Sequence, residues 1–241
     1  MKRLIFQSDF AILPREVGGE STLRDFLLLA RQCHTRTLVC EVADGIRPEL
    51  PPLEEDFPQV LLASTDCTDG ADYHIAEVKT VAIEGRSYPM PESDGEWHTL
   101  LQLLGGEGEL FFKAVFEKLA ALASEHRYDV VRFPKPALMG IEAQALNPHL
   151  RQMMLDATDA WLDRNAVFEV RTSKRTALAY PSVLLLRRIG QRRGRVTLSS
   201  GAQTAKGLFC GFDFAYAQLR ASGVGALSVP TGAGFESLPI R

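Results

Sequence analysis

Short apolar runs alternate along the chain with longer segments in which apolar residues recur every three or four positions. The short runs predict β-strands, at Arg3–Phe6, Thr37–Cys40, Val60–Ala63, Tyr73–Val78, Val81–Ile83, Asp129–Phe133, Val167–Val170, Arg195–Leu198 and Ala226–Val229. The longer segments predict helices, one from the N-cap Ser21 to Ala30, one around Trp97–Leu104, and others at Leu110–Glu125, 149–163, 182–190 and Phe212–Ser222. We expect mostly loop in the remainder of residues 85–108.

This alternation of strands and helices favours an α/β fold with a mainly parallel sheet. At 241 residues, the candidates are a closed α/β barrel and an open doubly wound sheet. No GxGxxG motif follows the first predicted strand and no GxxxxGK[ST] motif occurs, so the nucleotide-binding forms of the open sheet lose support. We therefore predict one barrel domain over residues 1–241, in which the loops after the strands build the site.

Composition narrows the function classes. The chain has 27 Lys and Arg against 30 Asp and Glu, a net charge of −3 that argues against a dedicated nucleic-acid binder. Its four cysteines are scattered without CxxC spacing, which predicts reduced thiols in a cytoplasmic protein. The apolar run after Met1 stops at Gln7, too early for an export signal, and no run is long enough to span a membrane.

Polar and charged residues follow the predicted strands and are the candidate site residues. They are Gln7, Asp9, Glu41, Asp44, Lys79, Arg132, Lys135, Arg171, Lys174, Arg175 and Gln203. The later members are cationic, and Arg and Lys side chains bind phosphate or carboxylate groups, so they predict a pocket for a small anion. The alternative is structural pairing, in which these cations neutralise Asp9, Glu41, Glu77 and Glu169 at the barrel mouth.

Three motifs in the last third of the chain resemble the histidinol-phosphate phosphatase branch of the PHP superfamily. They are FEVRTS at 168–173, YPS at 180–182 and VTLSSGAQ at 196–203, where the family has (F/L)EINTSG, YPS and VTLGSDAH. Looser matches are DYHIAEVK at 72–79 and YDVV at 128–131. The resemblance implies a distorted (β/α)7 TIM-like barrel of PHP type, with a trinuclear metal site that hydrolyses phosphomonoesters in active members.

The metal ligands of that family are largely replaced in this chain. The replacements at the aligned positions are Gln7-Ser8-Asp9, Val42-Ala43, Lys79, Phe133, Lys135 and Ser200-Gly201-Ala202-Gln203. A cationic side chain about 4 Å from a metal ion costs on the order of 4 kcal/mol at an effective dielectric constant near 20. We therefore expect a degenerate member that has lost the family's zinc, iron or manganese and has no cofactor.

Three functions remain open at this point. The preferred one is binding of a small anionic or phosphorylated ligand, or of a protein partner, at the barrel mouth. The second is a phosphoesterase with a rearranged site, in which Asp9, Glu41 or Asp44 supplies acid–base catalysis and Arg171, Lys174 and Arg175 hold the phosphate. The third is an RNA-associated scaffold that uses the arginine-rich run Arg187–Arg195, because the ribonuclease P protein subunit resembles a metal-free PHP barrel and also carries SSGA.

Overall fold

Parallel strands form a nearly closed barrel in the computed structural model, which describes residues 8–42, 57–67, 69–134, 147–172 and 179–240. Seven strands follow one another around it, in the order β1 (Ser8–Ile12), β2 (Thr37–Val42), β3 (Gln59–Ser64), β4 (Tyr73–Glu77), β7 (Val130–Arg132), β8 (Val167–Thr172) and β10 (Arg195–Ser199). Each neighbouring pair in this order is parallel. The predicted distorted α/β barrel is confirmed.

Helices surround the barrel. The described residues contain six, α1 (Leu23–Gln32), α2 (Asp94–Leu103), α3 (Gly108–Ala123), α4 (Pro148–Asp163), α5 (Val183–Gln191) and α6 (Phe212–Ala221). The N-cap of α1 is Thr22 rather than the predicted Ser21, because the Thr22 hydroxyl accepts from Asp25 N–H while the Asp25 carboxylate accepts from Thr22 N–H. No helix in the described ranges is long and apolar enough to cross a membrane.

The barrel interior is apolar toward the N-terminal ends of the strands and charged toward their C-terminal ends. The apolar part is one buried cluster that includes Phe10, Val39, Leu61, Ile75, Val130 and Val167. Side chains of a strand alternate between its two faces, so the residue two positions later points to the same side. This period places five ionisable residues at the C-terminal end of the interior, namely Glu41, Glu77, Arg132, Glu169 and Arg171.

The barrel closes where β1 meets β10, at the two ends of the strand order. Leu13 N–H donates to the Ala202 carbonyl at 2.8 Å, and Asp9 binds residues that follow β10. We expected Asp9 to follow the first strand, but it lies within β1, whose five residues are all buried. The predicted strand Arg3–Phe6 lies outside the described residues.

An antiparallel hairpin covers the N-terminal end of the barrel. It consists of β11 (Ala226–Thr231) and β12 (Gly234–Pro239), of which only β11 was predicted in part. The Tyr73 hydroxyl, at the start of β4, accepts from Thr231 N–H at 3.0 Å and lies 2.6 Å from the Thr231 carbonyl oxygen. The ring of Phe235 packs on Tyr73 with centroids 4.6 Å apart. These contacts hold the hairpin against the barrel interior.

The segment predicted to be mostly loop contains more regular structure. A second hairpin joins β5 (Thr80–Ile83) to β6 (Arg86–Pro89), and α2 begins at Asp94, before the predicted start near Trp97. Glu84 and Gly85 form the turn between β5 and β6, with φ of 50° and 78°, the left-handed conformation typical of two-residue hairpin turns.

Elsewhere in the chain, two residues form the short strand β9 (Ala179–Tyr180), which is antiparallel to β8.

Candidate functional site

A buried arginine joins three carboxylates at the mouth of the barrel. Arg132, the last residue of β7, is 4% exposed and holds Glu41 of β2 in a bidentate pair, with Nη1–Oε1 and Nη2–Oε2 distances of 2.9 and 2.8 Å. Its Nε donates to Glu169 of β8 at 2.5 Å, and Nη1 donates to Glu77 of β4 at 3.4 Å. One guanidinium thus links the ends of four strands.

The electrostatics of this cluster favour an ionised Arg132. Burial alone would lower the pKa of Arg132, but Glu169, Glu41 and Glu77 together hold it above its ordinary value. Burial would raise the pKa of Glu41, yet the charge and hydrogen bonds of Arg132 lower it. At Glu77 burial outweighs the attraction of Arg132, and repulsion by Glu41 and Glu169 adds to it, so the pKa of Glu77 is raised. Glu77 is therefore the least firmly held of the three carboxylates.

Asp9 has a different set of contacts, all across the closure of the barrel. Its Oδ1 accepts from Ser200 N–H at 2.8 Å, and its Oδ2 accepts from the Ser200 hydroxyl at 2.6 Å and from Phe209 N–H at 3.0 Å. Burial raises the pKa of Asp9 from 3.8 to about 6, although the hydrogen bonds from Phe209 and Ser200 lower it. These contacts join β1 to the segment after β10.

The side chain of Arg171 lies beside the Arg132 cluster. It occupies β8 two positions after Glu169 and is partly exposed, and its side chain has no hydrogen bond or ion pair with any described residue. Its positive charge adds to the lowering of the pKa of Glu41 and offsets part of the rise in the pKa of Glu77. Its guanidinium packs on Gly201, where an added Cβ would lie 2.8 Å from Cζ. Gly201 thus leaves room for the Arg171 guanidinium beside the mouth carboxylates.

The other candidate residues are spread more widely. Lys79 is about half exposed and forms an ion pair with Asp66, which follows β3. The side chain of Gln203 is exposed, while its carbonyl accepts from Glu20 N–H at 2.8 Å. The remaining candidates lie outside the described residues, and they are Gln7, Asp44, Lys135, Lys174 and Arg175.

Glu77 and Glu169 belong to this cluster but were not among the candidate site residues. The sequence analysis considered them only as structural partners for the cations. The available signal was the two-residue period, because Glu77 follows the inward-facing Ile75 and Glu169 follows the inward-facing Val167. Of the two interpretations of the cations, the structure shows structural pairing with carboxylates for Arg132.

The arginine-rich run Arg187–Arg195 contacts other parts of the protein. Arg188 Nε donates to Asp159 of α4 at 2.8 Å, and Arg192 Nη2 donates to Asp163 at 2.6 Å. Two of the arginines therefore join α5 and its C-terminal end to α4.

The described residues do not fit a cluster of divalent metal ions. Among them, no three His, Cys, Asp or Glu side chains are arranged to hold a metal ion. The carboxylate oxygens of Glu41 and Glu169 that face Arg132 already accept hydrogen bonds from its guanidinium. Arginine itself has no lone pair to offer a metal ion. Additional cations at this point would meet the charges of both Arg132 and Arg171.

Known structures share this architecture. Histidinol phosphate phosphatase from Lactococcus lactis, solved with zinc, L-histidinol and phosphate, matches with a TM-score of 0.61 and 11% identity over 95% of this chain and 98% of that chain. A putative histidinol phosphatase from Listeria monocytogenes matches with a TM-score of 0.68 and 9% identity over 86% and 98% of the two chains. No protein-family model and no curated protein sequence matches the chain. The chain therefore has the barrel fold of the histidinol phosphate phosphatases.

Proposed function

We propose that this protein is a degenerate, non-hydrolytic barrel of PHP type that binds a small anionic ligand, such as a phosphate monoester, at the barrel mouth. The observation that carries the proposal is the guanidinium of Arg171, which lies at the mouth and forms no hydrogen bond or ion pair with the described residues. A partly buried cation in this position favours an anionic partner. The four cysteines are free thiols, which supports the expected cytoplasmic location.

Contacts of the neighbouring carboxylates support a role without hydrolysis. Acid–base catalysis needs a carboxylate that can exchange a proton with the ligand. Glu41 is committed to Arg132 by two hydrogen bonds, and Asp9 accepts three hydrogen bonds within the protein. Asp9 is fully buried and Glu41 is held by Arg132, so neither is placed to exchange a proton with a ligand at the mouth.

A known structure with this fold contains an anion. The Lactococcus enzyme was crystallised with phosphate as well as zinc. In this chain, the positive charge beside the mouth carboxylates comes from Arg132, Arg171 and Lys79. Because Arg132 is neutralised by its glutamates and Lys79 by Asp66, Arg171 is the described cation that we expect to contact the ligand.

Titration calorimetry with inorganic phosphate and with sulfate tests the proposal. We expect saturable binding by the natural protein, and binding roughly 10- to 100-fold weaker for Arg171→Gln, since a hydrogen bond to a charged group contributes about 1.5–3 kcal/mol. Arg187→Gln is the matched control, because it removes the same charge from an exposed position on α5. Equal affinity in the natural protein and Arg171→Gln, or no binding of either anion, would refute the proposal.

A phosphatase assay separates this function from the hydrolytic alternative. Phosphate monoesters that bind should release no phosphate above the background rate, with or without added Mn²⁺. Turnover that survives repeated purification and is lost in Arg171→Gln would instead assign a hydrolase with a rearranged site. Binding of monoesters without release of phosphate would agree with the proposed function.

A further inference from the structure

Four strands of the barrel converge on a single positive charge. Arg132 donates from Nε, Nη1 and Nη2, and its partners Glu41, Glu77 and Glu169 come from three other strands. The side chain of Glu169 is fully buried and that of Arg132 is 5% exposed, so water does little to screen these charges. The arrangement places a cation at the centre of a ring of strand-end carboxylates.

The three carboxylates need a cation for physical reasons. Like charges brought together in a poorly solvated place repel one another, and the repulsion is removed by protonation or by a counter-ion. Burial is the main cause of the raised pKa of Glu77, and repulsion by Glu41 and Glu169 adds to it, whereas Arg132 lowers the pKa of Glu41. Lysine would not be equivalent, because the planar guanidinium makes a bidentate pair with Glu41 while Nε reaches Glu169.

We propose that Arg132 is the resident cation of this barrel. Its guanidinium offsets part of the negative charge of Glu41, Glu77 and Glu169, holds β2, β4, β7 and β8 together at the mouth, and occupies the place between the carboxylates that a divalent cation would need. In a barrel that binds metal, the bound ions supply the positive charge and link the strands through their ligands. Here a side chain does both, so the fold is independent of metal supply. This inference concerns how the mouth is held together and does not depend on the proposed anion binding.

The test compares the natural protein with Arg132→Met and with Arg132→Met/Glu41→Gln/Glu169→Gln. Each is heated in EDTA and in millimolar Mn²⁺, and bound metal is measured after dialysis. We expect the Tm of the natural protein to be the same in both solutions. The Tm of Arg132→Met should fall by roughly 10 °C in EDTA, because three carboxylates lose their cation. Mn²⁺ should restore part of this loss and remain bound.

The third variant separates charge from packing. It keeps the shorter Met side chain but removes two of the three negative charges, so we expect a Tm above that of Arg132→Met and no response to Mn²⁺. If Arg132→Met does not fold, recovery of the fold in this variant still supports the proposal. An equal loss of Tm in both variants without any effect of Mn²⁺ would overturn it, as would stoichiometric Mn²⁺ bound by the natural protein.

Discussion

The substitution Asp9→Asn tests how the barrel is closed. Asp9 is fully buried and its carboxylate accepts hydrogen bonds from Ser200 N–H, the Ser200 hydroxyl and Phe209 N–H, which lie beyond the last barrel strand. Asparagine has nearly the same shape, keeps one carbonyl acceptor and carries no charge. The variant therefore removes the ionisation of residue 9 while disturbing the packing little.

The magnitude follows from the pKa of Asp9. Burial raises it from 3.8 to about 6. This difference corresponds to about 3 kcal/mol in the free energy of unfolding. Because the pKa is higher in the folded state, the stabilisation is fully present below the ordinary pKa and is lost as the pH rises through about 6. Relative to Asp9→Asn, the natural protein should therefore lose about 3 kcal/mol between about pH 4 and about pH 7.

Urea unfolding of both proteins across this pH range measures the difference. Asp25→Asn is a control with the opposite sign. The side-chain and backbone hydrogen bonds of Thr22 lower the pKa of Asp25, so its stabilising contribution is lost as the pH falls. A difference between Asp9→Asn and the natural protein that is constant across the range would refute the reasoning. It would mean that Asp9 has the same pKa in the folded and unfolded states.

Three further predictions concern both ends of the barrel. Tyr73→Phe should lower the free energy of unfolding by about 1–3 kcal/mol in urea titrations, because Thr231 N–H loses its acceptor; no change would show that water replaces the hydroxyl. Gly201→Ala should cost about 1–2 kcal/mol, since Gly201 has φ of 56°, and should weaken phosphate binding in calorimetry by displacing Arg171. Sulfate should bind more tightly as the pH falls, on the order of tenfold, because neutralising Glu77 removes a negative charge near Arg171. Glu77→Gln should abolish that pH dependence, and an unchanged dependence would contradict the assignment.

The barrel could be predicted from the sequence because each element carries its own pattern. In α1, for example, Leu23, Phe26, Leu27 and Ala30 form one buried face, as their spacing of three and four indicates. The hairpin of β5 and β6 was missed at its second strand, because the residues of β6 are mostly exposed and show no apolar alternation. Its turn residues, Glu84 and Gly85, were the remaining signal.

The charge cluster could be predicted only as a set of residues at strand ends. Arg132 is separated from Glu41, Glu77 and Glu169 by 91, 55 and 37 positions, so no local spacing links them. Which carboxylates meet Arg132 depends on strand order and register, and these are set by packing of the whole barrel. Asp9 was likewise considered as a catalytic or paired residue, and its contacts across the barrel closure were not foreseen.

The hairpin that covers the N-terminal end of the barrel also limits the routes into its interior. Tyr73 and Phe235 pack together there, against the buried apolar layer that includes Phe10, Val39 and Ile75. A charged molecule entering from that side would have to lose its water in crossing this apolar layer. We therefore expect a ligand to exchange with solvent at the opposite face, where the charged ends of the strands would attract an anion or repel it before contact.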